Sequence, residues 1–488
     1  MALIDIASEK QLFVDDYLIE SMTNTRQIMN PAEKVDGNPV LRPERPWEGT
    51  HLTLNHVIFD EKDQIFKMWY SPHTYRAHQA NGDIVSEDAH EMPDSGGCLA
   101  TSVDGIRWER PVLGLVEFQG STENNLLPAE NVMSYFFQDL HEAEPAKRYK
   151  GLIRTGEVAD PGMKFDLYYS PDAFNWTPFE NNPVIDLSPK PGRWGPTAFM
   201  GWDPIRVVYA VHMENNQHFR GPLGKRVIGR AESPDMTHWS DAETILVPNE
   251  EDAPDTQFYA MPAITYEGFY VGMLWNFRVS NMTHHPQIVF SRNGIHYDRA
   301  YREPFITRGG KGEFDSNSIY TRAPIVHGDH IFTYYTGINH RSPESLLALG
   351  DKATSAVGLA ITPLDGFVSL DGVTGHPPNY NPIPRDVPPY SQMVTRSFSF
   401  AGSRLHINVE SAPQFNSAGP CEVRVEVLNP NHERLSGYEF EDADPITTSG
   451  LAHVASWNGK SDLSAFADRP IKLRFYFKNC KLYSFQFK

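Results

Sequence analysis

Apolar residues along most of this chain come in short runs or alternate with polar ones, and small polar clusters cut the runs off. "HLTLNHVIFDEKDQIFKMWYSPH", from His51, reads as a strand, a polar turn around Glu61 to Gln64, and a second strand. "GGCLATSVDGIRWERP" follows with a third strand and a tight turn. Long amphipathic helical periodicity is nearly absent. The turn "SVDGIRW" at Ser102 returns as "SPDAFNW" at Ser170, "SPDMTHW" at Ser233 and "SRNGIHY" at Ser291, with a degraded "TPLDGFVSL" at Thr362. A recurrence every ~60–70 residues marks one supersecondary unit used repeatedly.

Upstream of each turn the chain reads the same way, as three central strands plus a short outer one. Five such antiparallel units predict an all-β five-bladed β-propeller over residues 1–371, with the N-terminal segment packed on it. In the turn, Asp or Asn before Gly suits positive backbone angles, and the Ser and Asp side chains can bond local amides. The tryptophan that follows is expected to fill the wedge between blades. Residues 372–394, "GVTGHPPNYNPIPRDVPPYSQMV", are proline-rich and read as a linker. Beyond them "LHINVES", "CEVRVEVLN", "IKLRFYFKN" and "KLYSFQFK" predict a C-terminal β-sandwich over 395–488.

Composition narrows the picture. A formal net charge of −19 argues against nucleic acid and anionic membrane as partners. No run approaches the ~18 apolar residues of a membrane span. The N-terminus lacks a basic region followed by an apolar core, so a cytoplasmic protein is expected. Three cysteines, Cys98, Cys421 and Cys480, show no C-x-x-C spacing and read as buried thiols. His284–His285, placed on a loop, lacks metal-motif spacing, and "RGGKGEF" at 308–314 lacks the strand-to-helix setting of a phosphate loop. No cofactor is expected and no metal ligands are read from the sequence; an ion on the propeller axis is left open. A homo-oligomer is left open.

The repeated turns, the order propeller then sandwich, and the segments "LFVDDYLIE", "KGEFDSNSIY" and "VASWNGKSDLSAFADRPIKLRFYFKNCKLYSFQFK" resemble glycoside hydrolases of families 32 and 43 and bacterial family-32-like proteins. The resemblance covers nearly the whole chain. It implies a carbohydrate substrate and an axial site at the start of each blade's innermost strand. Family 32 carries an Asn-Asp-Pro-Asn-Gly nucleophile motif, where this chain has "EGTHLTLNHVIFD". It carries Glu-Cys-Pro for the acid, where this chain has "YAMPAITYEGFYVGM", with Ala260 in the glutamate's place. "GWDP" at 201–204 looks like the family's Arg-Asp-Pro but reads as a turn.

Glycoside hydrolysis needs two carboxylates, one protonated and one ionised. Acids just ahead of innermost strands are Glu48, Glu123, Glu130, Asp255, Glu313 and Asp315. Glu48, Asp255 and Asp315 sit at equivalent points and are the candidate catalytic groups. Glu214, Glu313, His51, Asn55, Trp194 and Arg322 are candidate substrate contacts, since sugar sites combine an aromatic platform with directional polar groups. The expected activity is a glycosidase, exo-acting on a short or furanosidic oligosaccharide. The alternatives are a sugar-binding propeller without turnover, or a lyase or transglycosylase in which His51 or a tyrosine takes the proton.

Overall fold

The computed structural model describes residues 3–80, 83–88, 95–128, 135–155, 163–187, 193–215, 225–372, 390–412 and 420–488. Regular structure in them is almost all strand, and Pro343–Leu349 is the one α-helix among the described residues. The chain divides into two units. One holds residues 32–327 and 331–361; the other holds 1–31, 328–330 and 362–488. The first 31 residues, expected with the repeated units, thus group with the C-terminal strands.

The larger unit is built from successive antiparallel groups. The first pairs His51–Asp60 with Ile65–His73, then Ser95–Ser102, then Leu126–Pro128. The second runs Tyr135–Gln138, Tyr149–Thr155, Lys164–Ser170, with Thr177–Pro178 and Ile185–Asp186 on its outer side. The third runs Arg193–Asp203, Val208–Asn215, Val227–Ser233, Glu243–Leu246. In the fourth, Ala263–Tyr266 and Thr256–Phe258 share Phe269–Arg278, which pairs on with Thr283–Ser291. His284–His285 therefore lies in a strand, not on the loop expected from sequence. In the fifth, Ser318–Thr321 and Ile325–His327 pair with His330–Ile338, which leads to Ser355–Pro363. The outer strand of this last group is Glu33–Lys34, from ahead of the first group, with Ala360 opposite Lys34.

The repeated turn closes each hairpin as its residue types dictate. Ser102 Oγ accepts from Gly105 N at 2.9 Å, and Asp104 Oδ1 accepts from Ile106 N and Arg107 N at 2.9 and 2.8 Å. Ser170 with Asp172, and Ser291 with Asn293, repeat the pattern. The next residue is left-handed whether or not it is glycine: φ is 73° at Gly105, 65° at Ala173, 70° at Met236 and 73° at Gly294. Ala173 and Met236 are buried there, so apolar packing offsets a conformation that L-residues disfavour. The tryptophans occupy cores shared by consecutive groups, as expected. Trp108 packs edge-on to Tyr334, Trp176 in the cluster that joins Phe136 to Trp69 and Leu99 of the first group, and Trp239 in the cluster of Leu167 and Val211.

Gly105 carries a further constraint. A Cβ there would stand 2.6 Å from the Tyr334 hydroxyl, which donates to Gly105 O at 2.6 Å. Gly105→Ala is expected to cost about 2 kcal/mol of stability, from the left-handed backbone and the steric displacement together. Urea denaturation checks this. Adding Tyr334→Phe should recover part of the loss; a double variant that simply adds the two losses would refute the clash.

The smaller unit has two larger sheets on one core, and a two-stranded pair, Ile4–Asp5 beside Phe398–Ser399. One holds Gly450–Val454, Leu405–Ser411, Cys480–Phe487, Val368–Gly372 and Thr25–Met29, with Gln11–Leu12 beside Cys480–Phe487. The other holds Ile19–Thr23, Ser391–Thr395, Lys472–Lys478 and Glu422–Leu428. Alternate residues of Leu405–Ser411, namely Leu405, Ile407 and Val409, meet Val423, Val425, Leu473 and Phe475 in a buried apolar cluster. Residues 373–389 of the expected linker lie outside the described residues.

Candidate functional site

A cavity of about 450 Å³ opens in the larger unit where the first, fourth and fifth groups approach one another. His51 and Thr53 reach it from His51–Asp60, Tyr75 from Tyr75–Ala80, and Trp275 from Phe269–Arg278. Tyr320 and Arg322 come from the end of Ser318–Thr321, and Thr336 from His330–Ile338. The loop after that strand supplies His340 and Arg341, then Ser342 and Pro343 open the helix Pro343–Leu349. That helix forms because Ser342 Oγ caps Ser345 N at 3.2 Å and proline fits the first turn.

Two histidines meet in this cavity. His51 Nε2 lies 2.7 Å from His340 Nε2, and His51 Nδ1 lies 2.6 Å from Thr50 Oγ1. An Nε2–Nε2 bond between neutral rings needs one proton, so one ring is the Nε2–H tautomer and the other accepts. Burial, helped by the Arg341 charge, lowers His340 from its ordinary value to about 4. The ring is therefore neutral at pH 7. Tyr75 packs edge-on to His51 at 5.2 Å. Tyr320 OH hydrogen-bonds His284 Nδ1 at 3.0 Å, and burial raises its hydroxyl to about 12.

Arg322 donates from Nε to Leu54 O at 2.9 Å, and Nη2 reaches the same carbonyl. Arg341 lies over the Tyr320 ring at 5.6 Å, and its buried Nε has no hydrogen-bond partner. Among the described residues no Asp or Glu lines the cavity.

The candidate residues read from sequence separate on this geometry. His51 and Arg322 come together in the cavity. Glu48 is fully buried elsewhere, with both oxygens occupied: Tyr70 OH at 2.6 Å and Arg110 Nε at 2.6 Å on Oε1, Glu44 N at 2.8 Å, Arg45 N at 3.0 Å and Arg110 Nη2 at 3.0 Å on Oε2. Asp315 is buried against Lys34 Nζ at 2.5 Å and Tyr335 OH at 2.9 Å. With the exposed Glu313 it lines a second cavity of about 790 Å³. Asp255 bonds Ser280 and Arg278, which hold its carboxyl far below the usual carboxylate range.

Glu214 is buried on Val208–Asn215 and pairs with Arg226 Nε at 2.9 Å. Asn55 donates to Ser71 Oγ at 2.8 Å on the first inner strand and does not line the cavity. Trp194 lies in Arg193–Asp203, with its side chain outside the described residues, as is Glu130. Glu123 is exposed. Asp203 is a turn residue as read from sequence, accepting from Ile205 N at 3.0 Å and Arg206 N at 3.1 Å, and it also holds Arg230. Among the described residues no cluster of His, Cys, Asp and Glu is disposed to hold a metal ion.

Sequence reasoning missed His340, Arg341, Tyr75, Tyr320 and Trp275. The signal for the first two was "RSPES", a serine cap and proline opening a helix in a chain otherwise without helical periodicity.

No family model matches the chain, and no curated protein matches it. Solved structures do. A glycosyl hydrolase from Bacteroides ovatus is 12% identical with a TM-score of 0.42, covering 73% of this chain and 96% of that one. An N-acetylgalactosamine deacetylase from F. plautii, in complex with blood group B trisaccharide, is 12% identical with a TM-score of 0.42, over 75% and 97%. The β-1,2-mannobiose phosphorylase from Listeria innocua, in complex with β-1,2-mannobiose, is 13% identical with a TM-score of 0.42, over 68% and 96%.

Neutral histidines, buried or half-buried, make an acid-sensitive fold. Burial lowers His56 to about 3, His212 and His285 to about 4, and His284 well below its ordinary value, as it does His340. Between those values and the ordinary 6.5 the unfolded chain binds more protons than the folded one. Stability is therefore complete above about pH 6.5 and falls, by on the order of several kcal/mol in sum, as pH drops toward 4. Urea midpoints at pH 7, 6 and 5 in constant salt should decrease in that order; a flat or rising series would contradict it.

Proposed function

We propose that the protein is a carbohydrate-active enzyme, a five-bladed β-propeller that breaks a glycosidic bond in the cavity holding His51 and His340. The blade reading is supported by the successive antiparallel groups and by Glu33–Lys34 completing the last of them from ahead of the first. The observation that carries the functional reading is the 2.7 Å Nε2–Nε2 contact in a cavity that also holds Tyr75, Trp275 and Tyr320. Aromatic faces offer platforms for sugar rings, and the polar atoms between them give direction. The sequence resemblance to glycoside hydrolases points the same way. A cavity of about 450 Å³ suits a short saccharide or a chain end.

On this reading the histidine pair moves the proton. His340, held neutral, is a base with His51 as its relay, and Thr50 fixes the His51 ring. The described lining contains histidines and tyrosines but no carboxylate, which favours elimination over hydrolysis by a carboxylate pair. Hydrolysis is the second reading, and Glu214, buried beside Arg226, is the acid that supports it.

A product screen tests the reading. The protein is incubated with neutral and acidic short oligosaccharides, furanosidic ones included, and products are weighed by mass spectrometry. Elimination leaves fragments whose masses sum to the substrate; hydrolysis adds the mass of a water. Cleavage that survives intact in His51→Asn would sink the assignment to this cavity.

A further inference from the structure

The chain is strongly acidic, with 62 Asp and Glu against 43 Lys and Arg. The cavity departs from that balance. Arg322 and Arg341 both line it, no described carboxylate does, and neither arginine makes an ion pair among the described residues. This contrasts with arginines elsewhere in the same unit. Arg110 holds Glu48, Arg230 holds Asp203, Arg278 holds Asp255, and Arg299 holds Asp252. Arg322 spends its Nε and Nη2 on one neutral carbonyl, and Arg341 keeps a buried Nε without a hydrogen-bond partner among the described residues. A guanidinium out of bulk water without a counter-ion is costly, and a planar oxyanion is the partner its geometry fits best. Two such groups in one concave, partly apolar space raise the local concentration of anions although the whole molecule is negative.

We propose that the saccharide taken by this cavity bears a carboxylate, as a uronic acid residue does, and that Arg322 and Arg341 receive that carboxylate. The inference rests on the reading of the cavity as a saccharide site and names the class of sugar. It also supplies what elimination needs. Pairing the carboxylate with guanidinium groups acidifies the hydrogen on the adjacent carbon, C5. The histidine pair takes that proton, the C–H electron pair becomes a C4–C5 double bond, and the bond from C4 to the glycosidic oxygen breaks. The departing oxygen receives one proton, from Tyr75 or Tyr320 or from water. One C–H and one C–O bond are exchanged for one C=C and one O–H bond, with no net oxidation.

Calorimetric titration of the full chain decides it. The probes are an oligogalacturonide and an oligoglucuronide, the matched neutral galactose and glucose oligomers, and inorganic phosphate, run at low and high salt. The expected result is at least ~10-fold tighter binding of one acidic saccharide than of its neutral match, with the preference weakening as salt is raised. Arg341→Gln should weaken the acidic saccharide more than its neutral match and so shrink that preference, and Arg341→Lys should restore part of it; an unchanged preference in Arg341→Gln overturns the assignment to Arg341. Equal binding of neutral and acidic sugars overturns the inference but leaves the saccharide site standing. Phosphate displacing the sugar, or outbinding it, makes the anion phosphate and overturns the inference as well. Absence of binding by every saccharide, in a folded protein, overturns the saccharide site and this inference together.

Discussion

His340→Asn is expected to cut cleavage by about 100-fold or more while the protein stays folded. Asparagine keeps a polar side chain near His51 but cannot take a proton at neutral pH. The loss should fall on kcat and leave saccharide affinity nearly unchanged, because the aromatic and arginine contacts of the cavity remain. Wild-type activity should fade as pH drops toward about 4, where His340 gains its proton. Single-turnover rates of the two proteins across pH 4 to 8, with circular dichroism at each point, measure both effects. A variant that turns over at the wild-type rate would remove His340 from the chemistry.

Glu48→Gln is expected to act on stability, by about 3–5 kcal/mol, and much less on the turnover of the folded fraction. Glu48 is fully buried, and its charge is balanced by Arg110 through both oxygens, at 2.6 and 3.0 Å. The amide keeps the shape but leaves Arg110 only its 3.4 Å pair with the exposed Glu44, and it presents donors to the Glu44 and Arg45 amides, which are donors themselves. Urea unfolding gives the first quantity and kcat per folded molecule gives the second. A variant of normal stability that has lost all turnover would place the chemistry on Glu48 instead.

Much of the fold was legible because β structure writes itself locally. Two-residue alternation gave the strands. The Ser-x-Asp-Gly-x-x-Trp turns gave their grouping, since the Ser and Asp side chains in that turn accept from amides two or three positions away. What was not legible depends on contacts far apart in sequence. Nothing local to Glu33 and Lys34 says that they pair with Ala360 and Ile361, and nothing in "LFVDDYLIE" says that it belongs with strands some hundreds of residues later.

The site shows the same limit. Glu48 looked available because its position ahead of an innermost strand is right for an axial acid. Tyr70 and Arg110, which occupy it, come from other strands and turns of the same group. Asp315 is covered in the same way by Lys34 and Tyr335. His340 and Arg341 lie after His330–Ile338, away from the starts of innermost strands, so their place in the cavity depends on how the strands assemble. His51 and Arg322 were found because they do sit on or beside those innermost strands.

The most direct measurement is a crystal structure of His340→Asn soaked with a cleavable acidic oligosaccharide. Sugar density is expected in the cavity between Trp275, Tyr320 and His51, with a carboxylate on Arg322 and Arg341. Saccharide bound instead in the second cavity, against Glu313 and Asp315, would contradict that expectation and return the chemistry to those carboxylates.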